Sequence, residues 1–295
     1  MARTKLPIRE INFYNPKLAK VGIEVKALDE LRTSVTTEFL STPQRLDFYQ
    51  ILCIQQGSSK YLVDFTEFNL HSGVVLLIKP GQIQQWYMLE DIQGLLVLIS
   101  SEVLTFALAS IERDVRFLES LEWPLVVKLD QTLFEVIIQD ILRIDIDLFQ
   151  FNSNQIEIAI IQHELMTLLL RLVNEWHKKP YRSHVTARET EIYHIFNKSI
   201  NEFFSARMKV NDYANRLGFS ESTISKACIL TVGRTAKQVI DDRLVLEAKR
   251  LLVHSSKSIA QVGYQLGFSE PTNFVKFFKR KEGCTPLSFR KIYIN

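Results

Sequence analysis

The pentapeptide LGFSE occurs twice, at 217–221 and 266–270, and each copy precedes a short run of polar and basic residues. Hydroxyl, amide and ammonium groups can hydrogen-bond to the edges of DNA bases, and cationic groups can neutralise phosphates. Within each run such residues recur at spacings that place them on one face of a helix. The sequence therefore predicts double-stranded DNA as a partner, with contacts from Ser222, Thr223, Ser225, Lys226, Arg234, Thr272, Asn273, Lys276, Lys279 and Arg280, and with Lys281 extending the basic end.

Each LGFSE copy is predicted to form the corner of a helix-turn-helix. Glycine adopts the positive φ angle of a tight turn readily, and Gly218 and Gly267 stand at that point. Ser220 and Ser269 stand where a side chain caps the next helix, and Pro271 suits a first helical turn. Apolar residues at helical spacing predict the buried faces of the second helices, at Ile224, Cys228, Phe274 and Phe278.

The predicted motifs span about 210–230 and 259–281, and a continuous helical pattern at 235–253 connects them. Two helical hairpins that merely pack a bundle would give the same pattern, but duplication within a basic region favours DNA binding. Residues 186–295 hold 18 Lys and Arg against 10 Asp and Glu, whereas the preceding residues hold 18 against 23. If the connecting helix separates the motifs by one DNA turn, roughly 10 base pairs, one chain can enter two successive major grooves.

The chain before this region is predicted to be a separate domain over residues 1–180. Short runs with a period of two, separated by turn residues, occupy about 20–105 and indicate an antiparallel barrel or sandwich. Helical periodicity then predicts two helices within about 130–178, at 130–147 and 154–178. Polar residues and a proline predict an interdomain linker at about 178–187.

The second of these helices is apolar on two sides. One side carries Ile156, Ile160, Leu170 and Val173, and the other carries Ile158, Ile161, Leu165, Leu168, Leu172 and Trp176. A helix with two apolar sides must bury both of them. One side can pack on its own domain, and the other needs a neighbouring helix or a second copy of the chain. A homodimer and a purely intrachain arrangement both remain open.

Composition narrows the class of protein. No apolar run reaches the length of a membrane span, and the first residues lack the apolar core of a signal peptide, so no membrane partner and a cytoplasmic location are expected. The three cysteines are scattered without metal-ligand spacing, which predicts reduced, buried thiols. His71 is isolated, so no metal and no cofactor are expected.

Residues 186–295 resemble the AraC/XylS family of bacterial transcription regulators. The similarity is strongest in RLVLEAKRLLVHSSKSIAQVGYQLGFSEPTNFVKFFKRKEGCTPLSFRK, which ends on the family pattern at Gly283, Thr285, Pro286, Phe289 and Arg290. The first motif departs from the family, because Cys228, Ile229 and Leu230 stand where Phe followed by Lys is usual. The resemblance implies an α+β protein: an N-terminal cupin-like antiparallel β-barrel with two helices for dimerisation, and a C-terminal all-α domain with two helix-turn-helix motifs.

The main hypothesis is a sequence-specific transcription activator that acts on RNA polymerase and is not an enzyme. The N-terminal domain is expected to control it through a small molecule or a partner, and if a small-molecule effector enters the barrel, Arg45, Tyr49 and Trp86 are the candidate contacts. In the first alternative the barrel binds no ligand and serves only for dimerisation or protein–protein interaction. The second, a cupin-type enzyme fused to a DNA-binding domain, requires a metal site with two or three histidines. His71, His163 and His177 are too scattered to predict one.

Overall fold

The computed structural model describes residues 8–87, 92–103, 126–177 and 187–294. The chain divides into two compact units, and the described residues up to 177 belong to one and those from 187 onward to the other. Each unit has its own buried core. The predicted linker at about 178–187 lies outside the described residues except for its last residue.

The first unit begins with strands that form two five-stranded sheets. One sheet has the order β1-β3-β8-β5-β6 and the other β10-β7-β4-β9-β2. The pairs are antiparallel except β1 with β3, which is parallel. The strands are β1 (Arg9–Ile11), β2 (Ile23–Ala27), β3 (Gln44–Leu46), β4 (Tyr49–Gln56), β5 (Ser58–Val63), β6 (Thr66–His71), β7 (Val74–Ile78), β8 (Ile83–Trp86), β9 (Gln93–Ile99) and β10 (Val126–Lys128), with short helices α1 (Leu28–Ser34) and α2 (Thr37–Ser41) after β2.

The two sheets face each other across one apolar core. Leu52 and Leu76 enter it from the second sheet, and Tyr61 and Trp86 enter it from the first. β7 is buried along its whole length, which explains its continuous apolar sequence VVLLI. The α+β class and the antiparallel arrangement are confirmed. The sheets are not closed into a barrel, because closure needs hydrogen bonds between the outer strands of the two sheets, and the described residues form none.

Two long helices complete the first unit, and both were predicted from periodicity. α3 (Gln131–Phe149) is capped by the Asp130 side chain, which accepts a hydrogen bond from the Leu133 amide at 2.9 Å. α4 (Gln155–His177) is capped by Asn154, which accepts from the Glu157 amide at 2.8 Å. The side of α4 that contacts α3 is buried, with Ile161, Leu165, Leu168 and Leu172 at 1% exposure or less. The other side leaves Ile156, Ile160 and Leu170 exposed.

The described residues of the second unit form helices joined by turns and short loops. α5 (Ala187–Phe203) buries the predicted stripe of Ile192, Phe196 and Ile200. A single 3₁₀ turn, Phe204–Ala206, follows it. The remaining helices are α6 (Val210–Leu217), α7 (Glu221–Val232), α8 (Ala236–His254), α9 (Ile259–Gln265), α10 (Pro271–Glu282) and α11 (Pro286–Ile294).

Among the described residues no helix is both long enough and apolar enough to cross a bilayer. Within the same ranges, no cluster of three or more His, Cys, Asp or Glu side chains could hold a metal ion. All three cysteines are free; Cys53 and Cys228 are buried as predicted, whereas Cys284 is half-buried.

Candidate nucleic-acid interface

The first helix-turn-helix consists of α6 and α7. α6 ends at Leu217, and Gly218 follows it with a φ of 72°, the left-handed conformation predicted for the corner. Ser220 then caps α7, since its hydroxyl accepts a hydrogen bond from the Thr223 amide at 3.1 Å. Ile224 and Cys228 are fully buried, so the opposite face of α7 points away from the core. The predicted motif is confirmed.

The second helix-turn-helix consists of α9 and α10, and it differs at its cap. Gly267 makes the predicted turn with a φ of 79°. The predicted cap at Ser269 is wrong: α10 begins one residue later, and Glu270 occupies the cap position without a side-chain bond. Pro271 explains the shift, because a proline disfavours helical backbone at the residue before it, and Glu270 is extended with φ of −133°.

A small residue on the first helix of each motif lets the second helix approach closely. Ala214 is buried on α6, and Gly263 takes the equivalent place on α9. A Cβ atom on Gly263 would lie 3.1 Å from the Cβ of Phe274, which is tighter than ordinary contact. Phe274 is itself fully buried. Ala214 and Gly263 each stand three residues before the leucine of LGFSE, so helix crossing in both motifs depends on a small residue at the same position.

The predicted contacts of the first motif lie on the outer part of α7 and just beyond it. Ser222 and Lys226 are exposed, and Thr223 and Ser225 are half-buried. The hydroxyl of Ser222 lies 2.8 Å from that of Ser220, so it also takes part in the cap. The Lys226 ammonium lies 3.1 Å from the carboxylate of Glu189 on α5, an ion pair that the sequence did not suggest.

Two features reduce the positive charge that the first motif presents. Arg234, two residues after α7, is exposed, and its Nη1 lies 4.0 Å from the Asp242 carboxylate. Ile229 and Leu230 are exposed by 52% and 37%, within the segment Cys228–Leu230 that stands where the family pattern has a phenylalanine followed by a lysine. The last turn of α7 therefore presents apolar atoms to solvent.

The second motif presents a more basic surface. Thr272, Asn273, Lys276, Lys279 and Arg280 are all exposed on α10. The opposite face of that helix is buried through Phe274, Phe277 and Phe278. The Thr272 hydroxyl lies 3.3 Å from the Glu270 carboxylate. Lys279 and Arg280 lie in the last turn of the helix, where positive charge interacts favourably with the negative end of the helix dipole.

Lys281 differs from its basic neighbours. Its ammonium lies 2.8 Å from the carboxylate of Asp241 on α8, and its side chain is only 22% exposed. The adjacent Glu282 is bound in the same way by Lys249 of α8 at 2.6 Å. In the run Lys279–Lys281, the first two side chains therefore face solvent, and the third forms an ion pair with α8.

The connecting helix joins the two motifs as predicted. α8 starts after Thr235, which forms a reciprocal capping box with Gln238. Its buried side includes Ala236, Leu244 and Ala248. At about 1.5 Å per residue its 19 residues extend about 28 Å. That length is of the same order as one turn of B-DNA, about 34 Å.

The three predicted effector contacts lie in the first unit but on both sheets. Arg45 is half-buried on β3, with Nη1 3.5 Å from the Glu10 carboxylate, and its Nε is buried without a hydrogen-bond acceptor among the described residues. Trp86, on the adjacent β8, is buried and packs edge-on against Tyr61 at 4.4 Å between ring centroids. Tyr49 begins β4 in the other sheet.

Sequence reasoning missed a chain of buried amides between the sheets. Gln50 donates to the Tyr61 hydroxyl and to the Gln84 side chain, both at 3.1 Å, and Gln84 donates to Gln44 at 3.2 Å. All four residues are buried. The available signal was a glutamine inside an apolar strand, since a buried amide needs polar partners.

Among the cavities lined by described residues of the first unit, two lie elsewhere. The larger, about 550 Å³, lies between the end of β4 and the start of α3 and is lined by residues that include Gln55, Ser72, Gln131 and Phe134. The other, about 410 Å³, is lined by residues that include Phe13, Asp47 and Ser100. Neither has Arg45, Tyr49 or Trp86 in its wall.

Comparison with known proteins matches both units. A family model of the AraC-like ligand binding domain matches residues 31–143, and a helix-turn-helix domain model matches 213–292. The chain is 27% identical to YisR, an uncharacterised HTH-type transcriptional regulator of Bacillus subtilis, over 42% of each protein. Similarity to the HTH-type transcriptional activator RhaS of Escherichia fergusonii is 19% identity over 83% of this chain and 86% of RhaS.

A solved structure, ToxT from Vibrio cholerae, aligns with 12% identity and a TM-score of 0.43, covering 92% of this chain and 98% of ToxT. The match to YisR spans less than half of either chain. The two family models together cover most of the chain, and the second falls on the duplicated motifs whose geometry is described above. Both units therefore match domain models of the kind that the sequence predicted, which confirms the resemblance to the AraC/XylS family.

Proposed function

We propose that the protein is a sequence-specific DNA-binding transcription regulator that acts as an activator. The observation that carries this proposal is the pair of helix-turn-helix motifs with exposed polar and basic faces, joined by one continuous helix. The names of relatives such as RhaS, an HTH-type transcriptional activator, support the direction of regulation.

Within each motif the second helix enters a major groove. On α10 the exposed amide of Asn273 has the donor and acceptor pair that adenine requires, and Lys276 can donate to guanine or to a phosphate. Lys279 and Arg280, at the end of the helix, contact phosphates. On α7 the hydroxyls of Ser222 and Ser225 contact bases, and fewer exposed cationic side chains lie near them than on α10. Because Ile229 and Leu230 occupy the last turn of α7, the second motif supplies most of the electrostatic affinity.

DNA selection from a random double-stranded pool, followed by footprinting, tests this proposal. Enrichment of one sequence with two protected segments about one helical turn apart, roughly 10 base pairs, is expected. Substitution of Asn273 by alanine should relax the base preference at one position of the second segment, while Lys279→Ala should weaken binding to all sequences alike. Enrichment of no sequence, or a single protected segment, would contradict the two-groove arrangement.

The first unit controls the second through a small molecule or a protein partner. Arg45 supports a small molecule, because its Nε is a buried donor that a carboxylate or carbonyl oxygen of a ligand would satisfy. Thermal-shift measurements on the full chain against metabolite sets, with Arg45→Met as the comparison, test this role. Stabilisation by one acidic metabolite that Arg45→Met abolishes is expected. Consistent absence of stabilisation favours a first unit that binds no ligand and serves interaction alone.

The exposed side of α4 supports a homodimer. Ile156, Ile160 and Leu170 recur at coiled-coil spacing along that helix and are exposed by 75%, 47% and 38%. A second copy of α4 would cover this stripe. Sedimentation at micromolar concentration should give a dimer for the wild type and a monomer for Ile160→Glu, whereas Glu substitution at the exposed Gln155 should leave the dimer intact.

Activation requires contact with RNA polymerase. A promoter fusion placed downstream of the selected site should give increased transcription in the presence of the protein. A decrease from the same site would identify a repressor and overturn the activator assignment, while leaving the DNA-binding assignment in place.

A further inference from the structure

The turn that precedes the first motif packs against the corner of the second. After α5 the chain passes through the 3₁₀ turn Phe204–Ala206, and Arg207 follows with a φ of 55°. A Cβ atom built on Gly267 would collide with the carbonyl oxygen of Ser205. Gly267 is therefore needed for two reasons, its own φ of 79° and the main-chain contact with the turn.

Side chains reinforce this main-chain contact. The Arg207 guanidinium carbon lies 4.1 Å from the ring centroid of Phe268 and 5.4 Å from that of Phe277, both nearly fully buried. A planar cation over aromatic faces is attracted to them, and here the rings are buried while Arg207 itself is exposed. Desolvation lowers the pKa of Arg207, and the negative charge of Asp241 on α8 opposes that effect.

Asp241 extends the contact to α10, since it also forms the ion pair with Lys281. On the other side, the guanidinium of Arg243, on α8, lies 4.3 Å from the ring centroid of Phe204 and donates to Asn201 of α5 at 2.7 Å. The turn is thus held between α5, α8 and the second motif. We call the set Ser205, Arg207, Asp241, Gly267 and Phe268 the junction.

We propose that the junction fixes the relative orientation of the two DNA-binding helices, and that Arg207 and Gly267 are positioning residues. This inference rests on the proposed DNA-binding function. A single helix such as α8 sets the distance between the motifs at its ends, but it leaves each motif able to tilt about its own contacts with the helix. A second attachment away from the axis of α8 removes that freedom. The junction residues then determine which spacing between half-elements the protein accepts.

The chain provides matched glycine controls. Gly218 and Gly283 have φ angles of 72° and 75°, close to that of Gly267, but a Cβ atom on either would meet nothing within 4 Å. Alanine at all three positions therefore introduces the same kind of backbone strain, and only Gly267→Ala adds the collision with Ser205. Arg207→Ala and Arg207→Lys complete the set, since lysine keeps the charge and loses the planar stack.

The DNA test uses the full chain and the double-stranded sequence that it selects from a random pool. One base pair inserted between the two half-elements rotates one relative to the other by about 35°. Wild type should lose about tenfold in affinity on this insertion, roughly 1.4 kcal/mol. For Arg207→Ala and Gly267→Ala, the insertion should reduce affinity about threefold or less, and binding to the original sequence should also be weaker than in wild type. For Gly218→Ala and Gly283→Ala, the ratio of affinities for the original and the inserted DNA should equal that of wild type. Equal ratios in wild type and Arg207→Ala would overturn the proposal.

A second measurement needs no DNA and separates this inference from the proposed function. Bioorthogonal spin labels at Asn215 on α6 and Tyr264 on α9, both exposed, report the distance between the motifs by pulsed electron resonance. A narrow distribution in wild type that broadens in Arg207→Ala but not in Gly283→Ala supports the junction, even if the chain selects no DNA sequence. A broad wild-type distribution, or the same width in Arg207→Ala, refutes it.

Discussion

Replacing Lys279 by alanine should reduce the salt dependence of DNA binding by one phosphate contact. Lys279 is exposed in the last turn of α10, beside Arg280 and on the same helix as Lys276. Each neutralised phosphate contributes about −0.9 to the slope of log K against log salt concentration. Loss of one contact therefore makes the slope less negative by about 0.9. Over a fourfold rise in salt, the variant should lose about 3.5-fold less affinity than wild type.

Lys281, two residues further on, is the control for this prediction. Its ammonium is bound to Asp241 at 2.8 Å and its side chain is 22% exposed, so it is not available to a phosphate. Lys281→Ala should leave the salt slope unchanged. It should instead lower the free energy of unfolding by about 1–2 kcal/mol, because Asp241 stays partly buried without this partner.

Fluorescence anisotropy with the selected DNA at several salt concentrations gives the two slopes, and urea unfolding gives the two stabilities. The ion pairs of the structure imply opposite outcomes for the two lysines. If Lys281→Ala changed the slope as much as Lys279→Ala, the division of this basic run into phosphate contacts and interhelical ion pairs would be wrong.

Three further changes test the structure. Ser220→Ala should destabilise the protein by about 1 kcal/mol in urea unfolding, because it removes a helix cap, whereas Ser269→Ala should cost much less. Burial and then the Asp147 carboxyl raise the pKa of Glu164, so the folded state binds its proton more tightly and the free energy of unfolding should fall as the pH rises above the ordinary value of 4.5. Glu164→Gln should flatten that dependence in urea titrations at a series of pH values above 4.5. Burial raises the pKa of Cys53 to about 12, so iodoacetamide at pH 8 should modify the half-buried Cys284 well before Cys53, as mass spectrometry can show.

Local sequence patterns predicted the helices and the turns between them, because helix periodicity, capping and turn geometry depend on residues that are close in sequence. A period of 3.6 identified α3 and α4, and capping side chains lie at or within one residue of their predicted starts. The repeated LGFSE identified both helix-turn-helix corners, since turn geometry and capping depend on adjacent residues. Ser269 failed as a cap for an equally local reason, the proline two residues later.

Contacts between residues far apart in the chain could not be predicted from the sequence. Lys279 and Lys281 are equivalent in a linear pattern, and only the packing of α10 on α8 places Asp241 beside one of them. Likewise, strand periodicity could not show that Tyr49 lies in one sheet while Arg45 and Trp86 lie in the other. Strand pairing depends on long-range contacts, which alternating polarity does not specify.

The two copies of LGFSE form similar turns but differ in what surrounds them. In the first copy the glycine makes a turn and a Cβ atom there would meet nothing. In the second, the same turn lies against Ser205, and the following phenylalanine lies under Arg207. The two glycines therefore make the same turn, but only Gly267 also lies against the chain that leads to the other motif. That asymmetry places the orientation of both DNA-binding helices under the control of residues that need not contact DNA.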